Sequence, residues 1–146
     1  MGCNDGPDRL TTARRFLRWV TGRMRGEKGN RRQLYEHRAP DYLNTRTVSV
    51  RSDGAVVFEG YDLDKDLEQF IGRDEWEGEL IVAARDVPLL RQRLHRAFGP
   101  LPEGCRSTAE ELLDLIEKGF SGDLSCMTRF EQWCREQGIA IDETAS

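Results

Sequence analysis

Val48 and Val50 alternate with Ser49 and Arg51, Ser52-Asp53-Gly54 follows, and residues 55–59 resume an extended pattern. A period of two sends successive side chains to opposite faces of a strand. Asp-Gly between two such runs signals a tight turn, because glycine accepts the positive φ that the turn needs. These residues commit the chain to a β-hairpin. Whatever flanks the hairpin has to cover its apolar face.

At 146 residues the chain suits one ordinary domain with a real core. Its apolar residues are only 38% of the total, yet they fall in periodic groups, which argues against disorder throughout. No uninterrupted apolar run approaches the ~20 residues of a membrane helix. Phe16-Leu17-Arg18-Trp19-Val20 is broken by arginine, so it does not form the apolar segment of a secretion signal. Gly6 stands where the myristoylation pattern wants Ser or Thr. An arginine-rich start also suits a mitochondrial presequence, against which Asp5 and Asp8 argue.

Cys3, Cys105, Cys126 and Cys134 form no CxxC pair and have no histidine at finger-like spacing. They are expected to be small hydrophobes in a reducing cytoplasm.

Charge divides the chain. Residues 1–38 hold ten Lys/Arg and four Asp/Glu, net +6, and residues 39–146 hold twelve and twenty-two, net −10. The expected organisation is a basic arm over 1–38 and an acidic domain over 39–146.

In the arm, Leu10, Ala13, Phe16, Leu17, Val20 and Met24 recur at helical spacing. They predict an amphipathic helix over 11–25, coated by arginines. A second short helix is expected over 31–37.

In the body, Leu63, Leu67, Phe70 and Ile71 predict a helix over 63–71 with Asp62 as its cap. A third strand is expected over 75–84, with Trp76, Leu80 and Val82 on one face and Glu77, Glu79 and Ile81 on the other. Asp86 and Pro88 predict a helix start, and Leu90, Leu94 and Phe98 line that helix. Ser107 and Thr108 before Glu110 and Glu111 have capping-box spacing. A last helix over 122–137 would turn Leu124, Met127, Phe130 and Cys134 inward, and Ile139-Ala140-Ile141 is a candidate final strand. The fold class is α+β: a small, mainly antiparallel sheet of three or four strands, covered by helices, with a basic amphipathic helix leading it.

Residues 53–79 hold ten acidic and two basic side chains, net −8 over 27 residues. Asp62, Asp64 and Asp66 match the first ligand positions of an EF-hand, but Leu67 replaces the required glycine and Arg73 the bidentate glutamate. No spacing selects a catalytic carboxylate pair. His95 and Cys105 lack any elbow motif, and no phosphate-cradling glycine loop is present, so no cofactor or metal is expected.

The acidic stretch fits recognition of a basic partner through Asp53, Glu59, Tyr61, Asp62, Asp64, Asp66, Glu68, Asp74, Glu75, Trp76, Glu77 and Glu79. Tyr61 and Trp76 would be aromatic anchors among the charges. A second reading places function in the arm. There Arg14, Arg15, Arg18, Trp19, Arg23 and Arg25 would contact nucleic acid or a membrane surface.

Three segments carry a family resemblance: Thr47-Val48-Ser49-Val50 through Phe58-Glu59-Gly60; Leu80-Ile81-Val82-Ala83-Ala84-Arg85-Asp86-Val87-Pro88; and Phe130-Glu131-Gln132-Trp133-Cys134 with Gly138-Ile139. In these segments, covering about residues 45–141, the chain resembles small bacterial immunity proteins of polymorphic toxin systems. The resemblance implies a small, single-domain, acidic protein that acts by binding a cognate toxin, and it implies no catalytic residue. The expected function is a non-enzymatic, cytoplasmic inhibitor of the immunity or antitoxin type.

Overall fold

The computed structural model describes residues 30–145. The leading helix expected over 11–25, with Arg14, Arg15, Arg18, Trp19, Arg23 and Arg25, lies outside the described residues.

Five antiparallel strands form one sheet in chain order: β1 (Arg31–Ala39), β2 (Tyr42–Val50), β3 (Val56–Asp64), β4 (Glu75–Val82) and β5 (Asp142–Ala145). The class is α+β, with five strands instead of three or four. The helices are the short α1 (Leu67–Ile71), then α2 (Val87–Phe98), α3 (Thr108–Phe120) and α4 (Cys126–Glu136).

The expected hairpin is present. Gly54 takes φ +94° at its turn, and Val50 pairs with Val56 across it. Both strands are longer than the apolar alternation indicated. β3 runs on to Asp64, so Leu63 and Asp62 are strand residues and Asp62 caps no helix. Residues 31–37 are not a helix. They form β1, paired with β2 through a bulge between Gln33 and Tyr35 that leaves both Leu34 and Tyr35 against the core. The boundary expected between residues 38 and 39 therefore falls inside a strand.

Helices cover one face of the sheet. On this helix face Val48 and Val50, Val56 and Phe58, and Leu80 and Val82 line up across β2, β3 and β4. α3 packs on β1 and β2, α4 on β3, and α2 on α3. Leu112, Leu113, Leu115 and Ile116 of α3 are buried with Phe130 and Cys134 of α4. Phe58 and Phe130 stack with ring centroids 5.1 Å apart. Burying each such ring contributes roughly 1.5–3 kcal/mol. Phe120 meets Phe98, Phe130 and Trp133 edge-on.

Local signals explain the helix limits. Ser107 Oγ accepts from the Glu110 amide at 3.1 Å and Glu110 Oε1 accepts from the Ser107 amide at 3.0 Å, completing the expected capping box. Asp86 stands before α2 but makes no side-chain capping bond, because a 3-10 turn over Ala84–Asp86 leads directly into the helix. α4 starts at Cys126 instead of 122, and Leu124 is 41% exposed instead of inward. Ile71, expected inside, is also exposed. Gly138, at φ +74°, ends α4 and drops Ile139 into the core, so the last strand is Asp142–Ala145 instead of 139–141.

Cys126 and Cys134 are buried free thiols and Cys105 is exposed. Burial pushes the Cys134 thiol up to about 12 and raises that of Cys126. Among the described residues, no helix is long and apolar enough to cross a membrane.

Candidate partner-binding site

The strand alternation sorts the acidic stretch by face. Odd-numbered residues of β2, β3 and β4 point away from the helices and even-numbered ones toward them. Glu59, Tyr61, Glu75, Glu77 and Glu79 therefore share the second face. Asp62 and Trp76 sit on the helix face, paired directly across β3 and β4.

On the second face, Glu79 lies opposite Glu59 and Glu77 opposite Tyr61. Glu75, Glu77 and Glu79 form a column along β4. Glu77 is exposed, and its two neighbours are half-buried. Like charges at this spacing repel, so the column needs cations or water close by. Arg51 supplies one cation, 3.5 Å from Glu79. Glu59 is 3% exposed with Arg31 at 3.6 Å, and Tyr61, 2% exposed, donates its hydroxyl to Glu75 at 3.0 Å. Glu59 and Tyr61 are thus interior residues of this face and present no surface to a visitor.

The helix-face pair belongs to a buried ionic cluster. Arg46 Nη1 and Nη2 donate to the two Asp62 oxygens at 2.7 and 3.1 Å, and Asn44 Nδ2 donates to Asp62 Oδ1 at 2.6 Å. The fork geometry and the third donor satisfy a carboxylate that burial would otherwise destabilise. Trp76 completes the cluster, with the Arg46 guanidinium 5.4 Å from its ring centroid. Trp76 is half-buried and packs against the margin of the helix-face core.

The remaining acids gather at the two ends of the hairpin. Asp53 is exposed in the β2–β3 turn, where it accepts from the Ala55 amide at 2.9 Å. At the far end, the Asp64 amide donates to the Asp74 carbonyl at 2.8 Å, which draws Asp64, Asp66 and Asp74 together at the β3–β4 connection. Glu68 lies on α1 within that connection. Asp66 is exposed, while Asp64 and Asp74 are half-buried. Tyr42, paired with Asp64, has its phenol raised by burial and then by the Asp64 charge.

The candidate final strand over 139–141 stops just short of β5 and contains none of its residues. Asp142 pairs with Ile81 and Thr144 with Glu79, so Asp142 shares the second face and Glu143 the helix face, both exposed. Asp-Glu-Thr-Ala has no apolar alternation, and only pairing with β4 identifies it as a strand. Arg46 was missed as well: an arginine inside Thr45-Arg46-Thr47 reads as solvent-facing until its partner Asp62 is placed in a strand.

His95 is occupied structurally, with its Nε2 3.0 Å from Glu111 Oε1. Among the described residues, no group of three or more His, Cys, Asp or Glu is placed to hold a metal ion. No family model, curated protein or solved structure matches the chain.

Proposed function

We propose that the chain is a non-enzymatic binding protein, an inhibitor of the immunity or antitoxin type that holds a basic partner protein on the acidic outer strands of its sheet. The observation that supports this reading is the composition of β4 and β5. Together they carry five carboxylates and no Lys or Arg. Asp64, Asp66 and Asp74 extend the negative charge to the end of β4. A concentrated potential of one sign speeds encounter with an oppositely charged partner, and a hydrogen-bonded sheet presents it without an ordering cost on binding. The same charges protect the β5 edge from pairing with another strand. Free buried thiols at Cys126 and Cys134 support a reducing, cytoplasmic setting.

The test uses exposed positions, so that folding is spared. Full-length chain with Asp66→Lys, Glu77→Lys, Asp142→Lys and Glu143→Lys is compared with the unaltered chain in pulldowns from the native host. The unaltered chain is expected to retain a basic protein whose capture weakens as salt rises. The fourfold variant should lose at least ~10-fold of that capture, about 1.4 kcal/mol, with its melting midpoint maintained. Equal capture by both chains removes the outer strands as the binding surface.

A further inference from the structure

We infer that the margin of the helix face holds a site for a guanidinium group, the arginine side chain of the basic partner proposed above; in naming that partner it rests on the proposed function. One buried atom points to it. Asn44 is 3% exposed, and its Oδ1 accepts no hydrogen bond. A buried carbonyl oxygen without a donor is costly, and such atoms are rare in folded chains. Asn44 Nδ2 donates to Asp62 Oδ1 at 2.6 Å, which turns Asn44 Oδ1 away from β3 and toward β1. His37 of β1 stands directly opposite Asn44, yet its ring lies edge-on to Tyr42 with centroids 5.0 Å apart. The donor nearest in register is therefore turned to another contact.

Place in the fold makes this atom a binding feature. Met127, at the start of α4, reaches the Arg46–Gly60 row of the sheet. The next two rows outward, Asn44–Asp62 and Tyr42–Asp64, lie at the margin of the helix layer. Tyr42, Asp62 and Asp64 are half-buried and His37 is exposed. Rotation of an exposed ring is fast, and rotation of His37 opens the way to Asn44 Oδ1.

The chemistry on offer selects the occupant. Asn44 Oδ1 and the Asp62 and Asp64 carboxylates are acceptors, and the Arg46 guanidinium is already bound to Asp62 through both terminal nitrogens. Asp64 Oδ1 accepts from the Asp66 amide at 2.9 Å, and its second oxygen faces a visitor. Such a visitor has to donate hydrogen bonds and carry positive charge. Asp64 is the diagonal cross-strand neighbour of Asn44, about 7–8 Å away along the backbone lattice. One guanidinium bridges that span, because its N–H donors form a fixed fork that serves an amide oxygen and a carboxylate together. Its flat face also stacks on an aromatic ring, which Tyr42 supplies.

Titration of the full chain with N-acetyl-arginine methylamide tests it, followed by NMR at the Asn44 side-chain amide and the Tyr42 ring. A saturable shift in the millimolar range is expected. It should be about tenfold weaker with the lysine derivative and missing with the neutral citrulline derivative. Asp64→Asn, at the margin of the fold, should weaken the arginine response severalfold. Asn44→Leu should abolish it while the near-ultraviolet signal of the aromatic core persists; if that variant does not fold, Asp64→Asn decides. No saturable shift, an equal response to citrulline, an unchanged response in Asp64→Asn, or shifts confined to β4 and β5 overturn the inference. The pulldowns described above separate the two claims. Full capture of the basic protein by Asp64→Asn and Asn44→Leu removes this site and leaves the outer strands as the binding surface. Arginine binding at Asn44 by a chain that captures no basic protein supports the site and removes the proposed function.

Discussion

Gly60 stands directly opposite Gly78 in the β3–β4 ladder, and the Trp76 ring fills the space that both leave open. A Cβ on Gly78 would lie 2.4 Å from Trp76 Cζ2, and one on Gly60 would lie 2.9 Å from Cζ3 and 3.0 Å from Met127 Sδ. Neither glycine is needed for a turn. Each is required because a flat aromatic ring lies on bare backbone. Gly78→Ala is expected to lower the unfolding free energy by about 2–3 kcal/mol, since the ring is held by the core and cannot swing away cheaply. Gly60→Ala should cost less, because Met127 and the Arg46 stem give more easily. Urea unfolding measures both. A neutral or stabilising Gly78→Ala would mean that Trp76 is free to move.

The Arg46–Asp62 pair beneath that ring predicts a strongly coupled double-mutant cycle. Side-chain exposure is 8% at Arg46 and 17% at Asp62. Removing either partner leaves a charge with little water to replace it, at a cost of about 3 kcal/mol. Arg46→Met and Asp62→Asn should each destabilise by about this much, and the double variant by well under the sum. Strict additivity in urea unfolding would show that the two side chains act separately.

The legible parts of this fold were those with local grammar. α2 and α3 are marked by a first-turn proline, a capping box and apolar residues at helical spacing, and their limits follow from neighbours in sequence. β1 was hidden for two reasons. Its edge position leaves polar residues such as Gln33, Glu36 and Arg38 exposed, and the Leu34 bulge breaks the period of two. β5 has no apolar residue except its terminal alanine and exists only through β4.

The acidic stretch shows how one misread element moves a whole site. Leu63, Leu67, Phe70 and Ile71 have helical spacing, and ending β3 early to accommodate a helix removed the parity that separates Asp62 and Trp76 from Tyr61 and Glu77. With β3 carried through to Asp64, the same alternation assigns each residue to its face. Partner identity has no comparable local signal.

Acid stability provides the last expectation, at the α2–α3 contact. Glu111 accepts from Arg91 Nε and lies 3.0 Å from His95 Nε2. The Arg91 bond, then the His95 bond, hold its carboxyl at about 2, well below the ordinary 4.5, against the opposing effect of burial. The folded state therefore favours the charged carboxylate. Its contribution is fully present above about pH 4.5 and is lost as pH falls from there through about 2. Glu111→Gln keeps the shape and removes the charge. At pH 7 it should destabilise by roughly 1 kcal/mol, since part of the pair is open to solvent. The difference from the unaltered chain should narrow between pH 4.5 and pH 2.5, and 1 M salt should also reduce it. Thermal unfolding of the two proteins side by side across that range decides the matter: a difference that stays constant with pH would mean that the helices are joined there by shape and not by charge.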